Sequence, residues 1–366
     1  MAPPFRAEHV GSLLRPASLA RAFRDHNAAK IDDKAFVEAQ DAAIRDVVAL
    51  QEAAGLKLVT DGEFRRGSYW GHFIGPVEGL TVKPAAFSFH DEAGAEQAFI
   101  APHVAGPVSR TQGISTGEFQ FLKSVAKATP KVTLPSPPTF HFWRGKQGIE
   151  ASAYADAEAF FDDFAAVYRQ EIAALAALGA TYMTLDEVPL VMLCDEAIRA
   201  QVSDWGEDSD RLIDLYITAI NKAVAERPAG VTIGMHLCRG NFKGKFLSEG
   251  GYEPVADRLF NEIDVDAFFL EYDTTRAGDF APLRFVPEAK HVVLGLVSSK
   301  NPVLEDIDAL CRRIDEAASV MALDRLAVSP QCGFASAVSG NPITVDDEKR
   351  KLALVVETAI RVWGEA

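Results

Sequence analysis

The chain has few cysteines, no long apolar run and too little positive charge to balance its acids: 37 Lys and Arg stand against 52 Asp and Glu in 366 residues. No apolar stretch reaches the roughly 18 residues of a membrane span, and no basic-then-apolar amino terminus marks a secretory signal. A formal charge of -15 argues against non-specific binding to nucleic acid or an anionic membrane, which needs clustered Lys and Arg. Four cysteines, Cys194, Cys238, Cys311 and Cys332, are too sparse for a disulfide scaffold and suit a reducing compartment, so a cytoplasmic protein is expected. Heptads, short repeats and low-complexity tracts are also missing, as is a Gly-rich phosphate loop. "HVGSLLRP" has one Gly and a Pro, which argues against a doubly wound nucleotide-binding sheet.

What is present is an alternation. Short apolar or β-branched runs at 131–138, 181–187, 232–238, 267–273, 292–299 and 326–333 read as strands, and amphipathic segments separate them. In 156–178, Phe160, Phe161, Phe164, Val167, Ile172 and Leu175 recur at helical spacing, and Gly179 supplies the stop. A second helical pattern covers 305–321. Upstream, EHVGS (8–12) and LKLVTDGE (56–63) flank a helix at 35–54 that ends at Gly55. Eight strands, each followed by a helix, predict a single α/β domain over 1–366, a (β/α)8 TIM barrel. The Gly-, Pro- and Phe-rich stretch 74–128 reads as an insertion after the second strand, with a hairpin expected around 98–108. Cys194 and Cys311 fall in predicted helices, as small buried hydrophobes.

Barrel active sites gather at the carboxyl ends of the strands. Those ends carry Ser12, Asp61 and Glu63, Pro137, Asp186 and Glu187, His236 and Cys238, Glu271 and Asp273, Ser298 and Ser299, and Cys332. His236, Cys238, Glu271 and Cys332 are one imidazole, one carboxylate and two thiols, a ligand set for tetrahedral Zn2+. Strand alternation puts His236 and Cys238 on one face, about 6.6 Å apart along the strand. Taken singly, each has an ordinary reading: a core histidine, buried cysteines, a carboxylate paired with Arg276, or a Cys238–Cys332 disulfide. Their joint occurrence at three strand ends favours the metal.

These residues resemble the carboxy-terminal catalytic barrel of cobalamin-independent methionine synthase, from "FRAEHVGSLLRP" to "SPQCGFAS". The resemblance implies zinc on the same four residues. It further implies that homocysteine is held by Gly11 and Ser12, by Glu63 in "TDGEFRRG" and by Asp186 in "TLDEVP", and that a folate donor stacks on Trp143 in "PSPPTFHFW". Glu63 and Asp186 could instead bond only to loops or to Arg65 and Arg66. The chain departs from the family where a histidine proton donor follows the seventh strand; here Ser298-Ser299-Lys300 stands, which leaves Ser298 as a further substrate-binding candidate. The Lys-Thr-Arg after the final Cys-Gly is replaced by Phe-Ala-Ser, and the family's second, amino-terminal barrel is absent from this sequence.

The function expected is zinc-dependent S-alkyl transfer, with methyl transfer to homocysteine giving methionine. The thiol is activated as its thiolate, and Asp186, Lys300 or His72 supplies any proton the leaving group needs. Lys300 otherwise reads as an exposed lysine. The alternatives are transfer to or from a different thiol, of the coenzyme M type, with a non-folate donor; a zinc hydrolase; or a metal-free barrel of the uroporphyrinogen decarboxylase type. Expected partners are a small thiol and a methyl or alkyl donor, folate included. A second copy of the chain or a separate donor protein is left open.

Overall fold

The computed structural model describes residues 3–89, 94 and 96–366. Its strands are β1 (Leu58–Val59), β2 (Val77–Phe89), β3 (Gln97–Arg110), β4 (Thr129–Pro130), β5 (Val132–Pro135), β6 (Tyr182–Glu187), β7 (Thr232–Leu237), β8 (Ala267–Glu271), β9 (His291–Val297) and β10 (Leu326–Pro330). Its α-helices are α1 (Ala17–Asn27), α2 (Asp33–Ala53), α3 (Thr116–Val125), α4 (Ala157–Ala177), α5 (Pro189–Met192), α6 (Glu196–Asp204), α7 (Ser209–Val224), α8 (Glu253–Glu262), α9 (Ile307–Ala318) and α10 (Val345–Trp363).

The parallel strands run in the order β5-β6-β7-β8-β9-β10. Short links close the ring. Ala7 bridges Val328 in parallel, the Leu13 amide donates to the Gly62 carbonyl at 3.1 Å, and β1 pairs with β4 through Leu58–Thr129 and Val59–Pro130. The molecule is a (β/α)8 barrel, and its parallel strands are apolar along nearly their whole length because helices cover their outer faces. Tyr182, Phe269, Val293, Ala267 and Ala327 pack as a separate apolar cluster. Beside it, Lys131 faces the rings of Phe269 and Tyr182 at 4.9 and 5.3 Å and pairs with Glu8 at 3.1 Å.

The helices start where an acid can cap them. Asp32, Asp156, Asp208 and Asp306 each accept from the backbone three residues on, at 2.8 Å, satisfying an otherwise orphaned first-turn N–H. Thr344 and Asp347 form a reciprocal capping box at the head of α10. Among the described residues no helix is long and apolar enough to cross a membrane.

Several expectations need correction. Residues 98–108 lie within one strand, β3, which pairs antiparallel with β2, so the hairpin is longer than expected and its connection falls before 98. The period-2 pattern marks extended chain but not where it reverses. The first barrel segment is a bridge at Ala7 rather than a strand over 8–12. After β8 the chain makes two 3-10 turns, Thr275–Ala277 and Ala281–Phe285, instead of an α-helix; the Pro282 ring and the Gly278 break account for it. Cys194 sits in a turn between α5 and α6, not in a helix.

Candidate active site

A cavity of about 890 Å3 opens at the carboxyl ends of the strands. Ser12, Asp186, His236, Cys238 and Cys332 line its polar part. Strand register accounts for the grouping: Asp186 of β6 lies beside His236 of β7, and Cys238 and Cys332 follow directly on the ends of β7 and near the end of β10.

The donor atoms of His236, Cys238 and Cys332 lie within 4.8 Å of one another, and all three residues are buried. Both cysteines are free thiols, with their sulfurs 3.4 Å apart. Neither ring nitrogen of His236 has a hydrogen-bond partner. The neighbouring Cys332 sulfur, and burial after it, hold the Cys238 thiol well above its ordinary pKa. Two sulfurs and an unpartnered imidazole, buried and crowded together, are costly unless something cationic binds between them. The donor set of one nitrogen and two sulfurs fits zinc.

Glu271, the fourth expected ligand, stands just outside this trio. Its Oε2 accepts the Arg239 amide at 2.9 Å, and its Oε1 meets Lys300 Nζ at 3.2 Å and Arg276 at 3.5 Å. Burial works against its charge, yet Lys300, Arg239 and Arg276 together hold its carboxyl at about 2. Lys300 is therefore not the exposed lysine the sequence suggests, since its side chain is 9% exposed. Burial opposes its charge too, but Glu271, Cys238 and Asp273 keep the ammonium above its ordinary range. Asp273 lies close by with neither carboxylate oxygen partnered, and burial and then Glu271 push it up to about 6.

On the opposite side, Gly11 is required by space. It has φ +154°, and a Cβ there would collide with the Thr133 methyl. Gly333 is glycine for a related reason, because the Ser12 hydroxyl occupies the place its Cβ would take. Glu63 adopts φ 61°, rare for a residue with a side chain. Its Oε1 accepts from Thr133 Oγ1 at 2.7 Å and faces Arg66 at 3.5 Å. Arg66 is held mainly by Glu118, at 2.7 Å, and Arg65 by Asp41 at 2.5 Å. Asp186 Oδ1 has no partner; burial first and then the charge of Glu63 push its carboxyl up to about 7, against the pull of His236 and Arg66.

Trp143 lines the cavity and is 3% exposed, with its indole N–H unpartnered. Gly11, Glu63, Glu271, Ser298 and Lys300 are not part of the cavity lining. Ser298 is engaged locally: its amide donates to Glu305 at 2.7 Å and its hydroxyl accepts the Lys300 amide at 3.3 Å. The two ring nitrogens of His72 are buried without a partner, and burial, with Arg66 adding to it, holds the ring well below its ordinary pKa. The sequence reading missed the other half of the cavity, where Tyr69, Trp70, Phe89, Phe99 and Phe242 form an apolar wall. The richness of 74–128 in Phe was its only available signal.

Residues 5–358 match the family described as cobalamin-independent synthase, catalytic domain. The Uncharacterized protein YxjH of Bacillus subtilis (strain 168) is 38% identical over 366 residues, covering 98% of this chain and 95% of its own. A methionine synthase of Pyrococcus abyssi is 26% identical, covering 89% of this chain and 85% of its own. The crystal structure of the putative vitamin-B12 independent methionine synthase from Listeria monocytogenes superposes with a TM-score of 0.79 at 30% identity, covering 100% of both chains.

Proposed function

The chain belongs to the cobalamin-independent synthase catalytic-domain family, and from that premise we propose that it is a zinc-dependent methyltransferase that methylates the sulfur of homocysteine to give methionine. The observation that carries this reading is the buried trio of His236, Cys238 and Cys332, with the His236 ring nitrogens unpartnered, at the inner end of an open cavity. Bound by these residues, zinc supplies a Lewis acid that holds a substrate thiol as its thiolate near neutral pH.

The protein's own groups do the rest. His236, Cys238 and Cys332 would supply three donors to zinc and would leave room for a substrate sulfur, as in catalytic rather than structural sites. Glu271 is held at the end of the neighbouring strand by Lys300, Arg276 and the Arg239 amide, where it would be a further candidate ligand. Asp186, with one oxygen unpartnered, accepts the substrate ammonium, and Glu63 reinforces the negative field around it. The ammonium in turn favours the ionised form of Asp186, whose carboxyl stands at about 7 without it. The Ser12 hydroxyl, also in the cavity lining, is placed for the substrate carboxylate. The apolar wall excludes water from the sulfur and the incoming methyl group.

The test is turnover of the zinc-loaded protein with homocysteine and a panel of methyl donors under anaerobic conditions, read by mass spectrometry. Methionine is expected. Absence of any thioether product from every donor would overturn the assignment. Asp186→Asn should raise the KM for homocysteine by about tenfold or more, the usual loss for one charged hydrogen bond.

A further inference from the structure

The chemistry of the second substrate is written in the cavity wall. We propose that the methyl donor is a small organic cation, a sulfonium or quaternary ammonium compound, bound against the aromatic part of the cavity; this rests on the thiol-methylation reading above. Three kinds of observation support it.

The first is the surface itself. Tyr69 and Trp70, the hairpin residues Phe89 and Phe99, Trp143 and Phe242 come from four separate segments to line one cavity. Phe99 meets Trp143 edge to face at 5.5 Å, Phe89 meets Phe99 at 5.0 Å and Phe89 meets Phe242 at 5.3 Å. Phe242, Phe89, Phe99 and Trp143 thus touch in a continuous run, and aromatic faces attract a desolvated cation.

The second is charge. Among the described residues lining the cavity there is no Lys or Arg, while Asp186 contributes a carboxylate with an unpartnered oxygen. The nearby guanidinium groups are engaged elsewhere. Arg15 is held by the carbonyls of Glu63 and Arg66, both at 2.7 Å; Arg66 is held by Glu118 at 2.7 Å; and Arg239 by the Gly250 carbonyl at 2.6 Å. Lys243 is exposed and stands 5.3 Å over the Phe242 ring; away from that ring, beside Phe99, Trp143 and Asp186, a donor carrying carboxylates, phosphate or sulfonate would surrender its hydration and find no paired charge. A cation finds rings and a carboxylate.

The third is the balance of the reaction. The thiolate sulfur forms a bond to the methyl carbon, the bond from that carbon to the cationic sulfur or nitrogen breaks, and its electron pair stays with the departing atom. The leaving group departs as a neutral sulfide or tertiary amine and takes no proton. Lys300 can therefore remain on Glu271 throughout. An anion and a cation become two neutral molecules, a change that the apolar wall favours.

Two measurements on the full-length, zinc-loaded protein test this. In the first, binding of choline is compared with that of its uncharged isostere 3,3-dimethylbutan-1-ol, followed by tryptophan fluorescence or calorimetry. Choline should bind about tenfold tighter, the value of a desolvated cation–π contact. Phe99→Leu should erase most of that preference. Val82→Arg, at a lining position already 41% exposed, should weaken choline and leave the alcohol unchanged. Equal binding of choline and the alcohol overturns the proposal. In the second, homocysteine is offered with trimethylsulfonium or with methyltetrahydrofolate, and thioether is read by mass spectrometry. Faster product from trimethylsulfonium supports the proposal. Product from methyltetrahydrofolate with none from trimethylsulfonium overturns the donor assignment and leaves thiol methylation standing. No thioether from either, with zinc bound stoichiometrically, overturns thiol methylation and the donor assignment with it.

Discussion

Two buried polar groups occupy the barrel, and they are built on opposite principles. Toward the amino-terminal ends of the strands, Glu8 accepts from the Phe5 amide at 3.0 Å and from Tyr182 Oη at 2.8 Å, and pairs with Lys131 at 3.1 Å. Lys131 also donates to the His9 carbonyl. Every oxygen of that carboxylate has a partner. At the carboxyl ends, His236 and Asp186 are buried too and line the cavity, yet each has polar atoms without one. Burial is the same in both places, so burial alone does not mark function. Unmet hydrogen-bonding capacity at a cavity is the better mark, because a ligand can reach it there; the His9 ring nitrogens, unpartnered beside Glu8, do not line the cavity.

The comparison breaks most sharply at the sulfurs. Cys238→Ala or Cys332→Ala should abolish stoichiometric zinc retention and turnover, measured by elemental analysis after dialysis and by product formation. Retention of zinc in both variants would reduce the trio to a structural cluster. Next in size is the satisfied group: Lys131→Met strands Glu8 and should cost about 3–5 kcal/mol of stability, read from denaturant midpoints, with zinc content unchanged. Replacing Glu8 by Gln as well should recover most of the loss. Lys300→Met releases Glu271 from its ammonium partner and should lower zinc affinity or turnover by about 10–100-fold, as for other groups that orient a ligand.

The smallest expected effect is a slope, at a residue between the two extremes. Glu348 accepts the Leu14 amide at 2.7 Å through Oε2, while its Oε1 is unpartnered, and burial pushes its carboxyl up to about 8. The folded state therefore holds the proton more tightly than the unfolded chain. Its contribution is fully present below the ordinary Glu pKa and is lost as pH rises toward 8. Glu348→Gln does not titrate, so its melting temperature should gain on that of the unsubstituted protein between pH 5 and pH 8. A constant difference across that range would contradict the assignment.

Much of the barrel was legible from local signals. The helices expected at 35–54, 156–178 and 305–321 appear as Asp33–Ala53, Ala157–Ala177 and Ile307–Ala318, since aspartate caps and glycine stops act within a turn or two. The H-x-C spacing was equally readable, because alternation along one strand already puts His236 and Cys238 on one face. The hairpin was misplaced because a run of extended residues carries no mark of its partner. The ion pair of Glu271 with Lys300, 29 residues on, was not legible, because nothing local in the chain marks a contact between separate strand ends.

By itself, then, the sequence determined the alternation of elements, the caps that bound them and the residue types at each strand end, all set by interactions a few residues long. Only the tertiary structure decided which strand ends meet, which buried groups are left without partners, and that rings from four distant segments enclose one uncharged wall. Those outcomes depend on how the barrel closes and on where the β2–β3 hairpin folds over its mouth. Both are contacts between residues far apart in the chain, which local propensity does not encode.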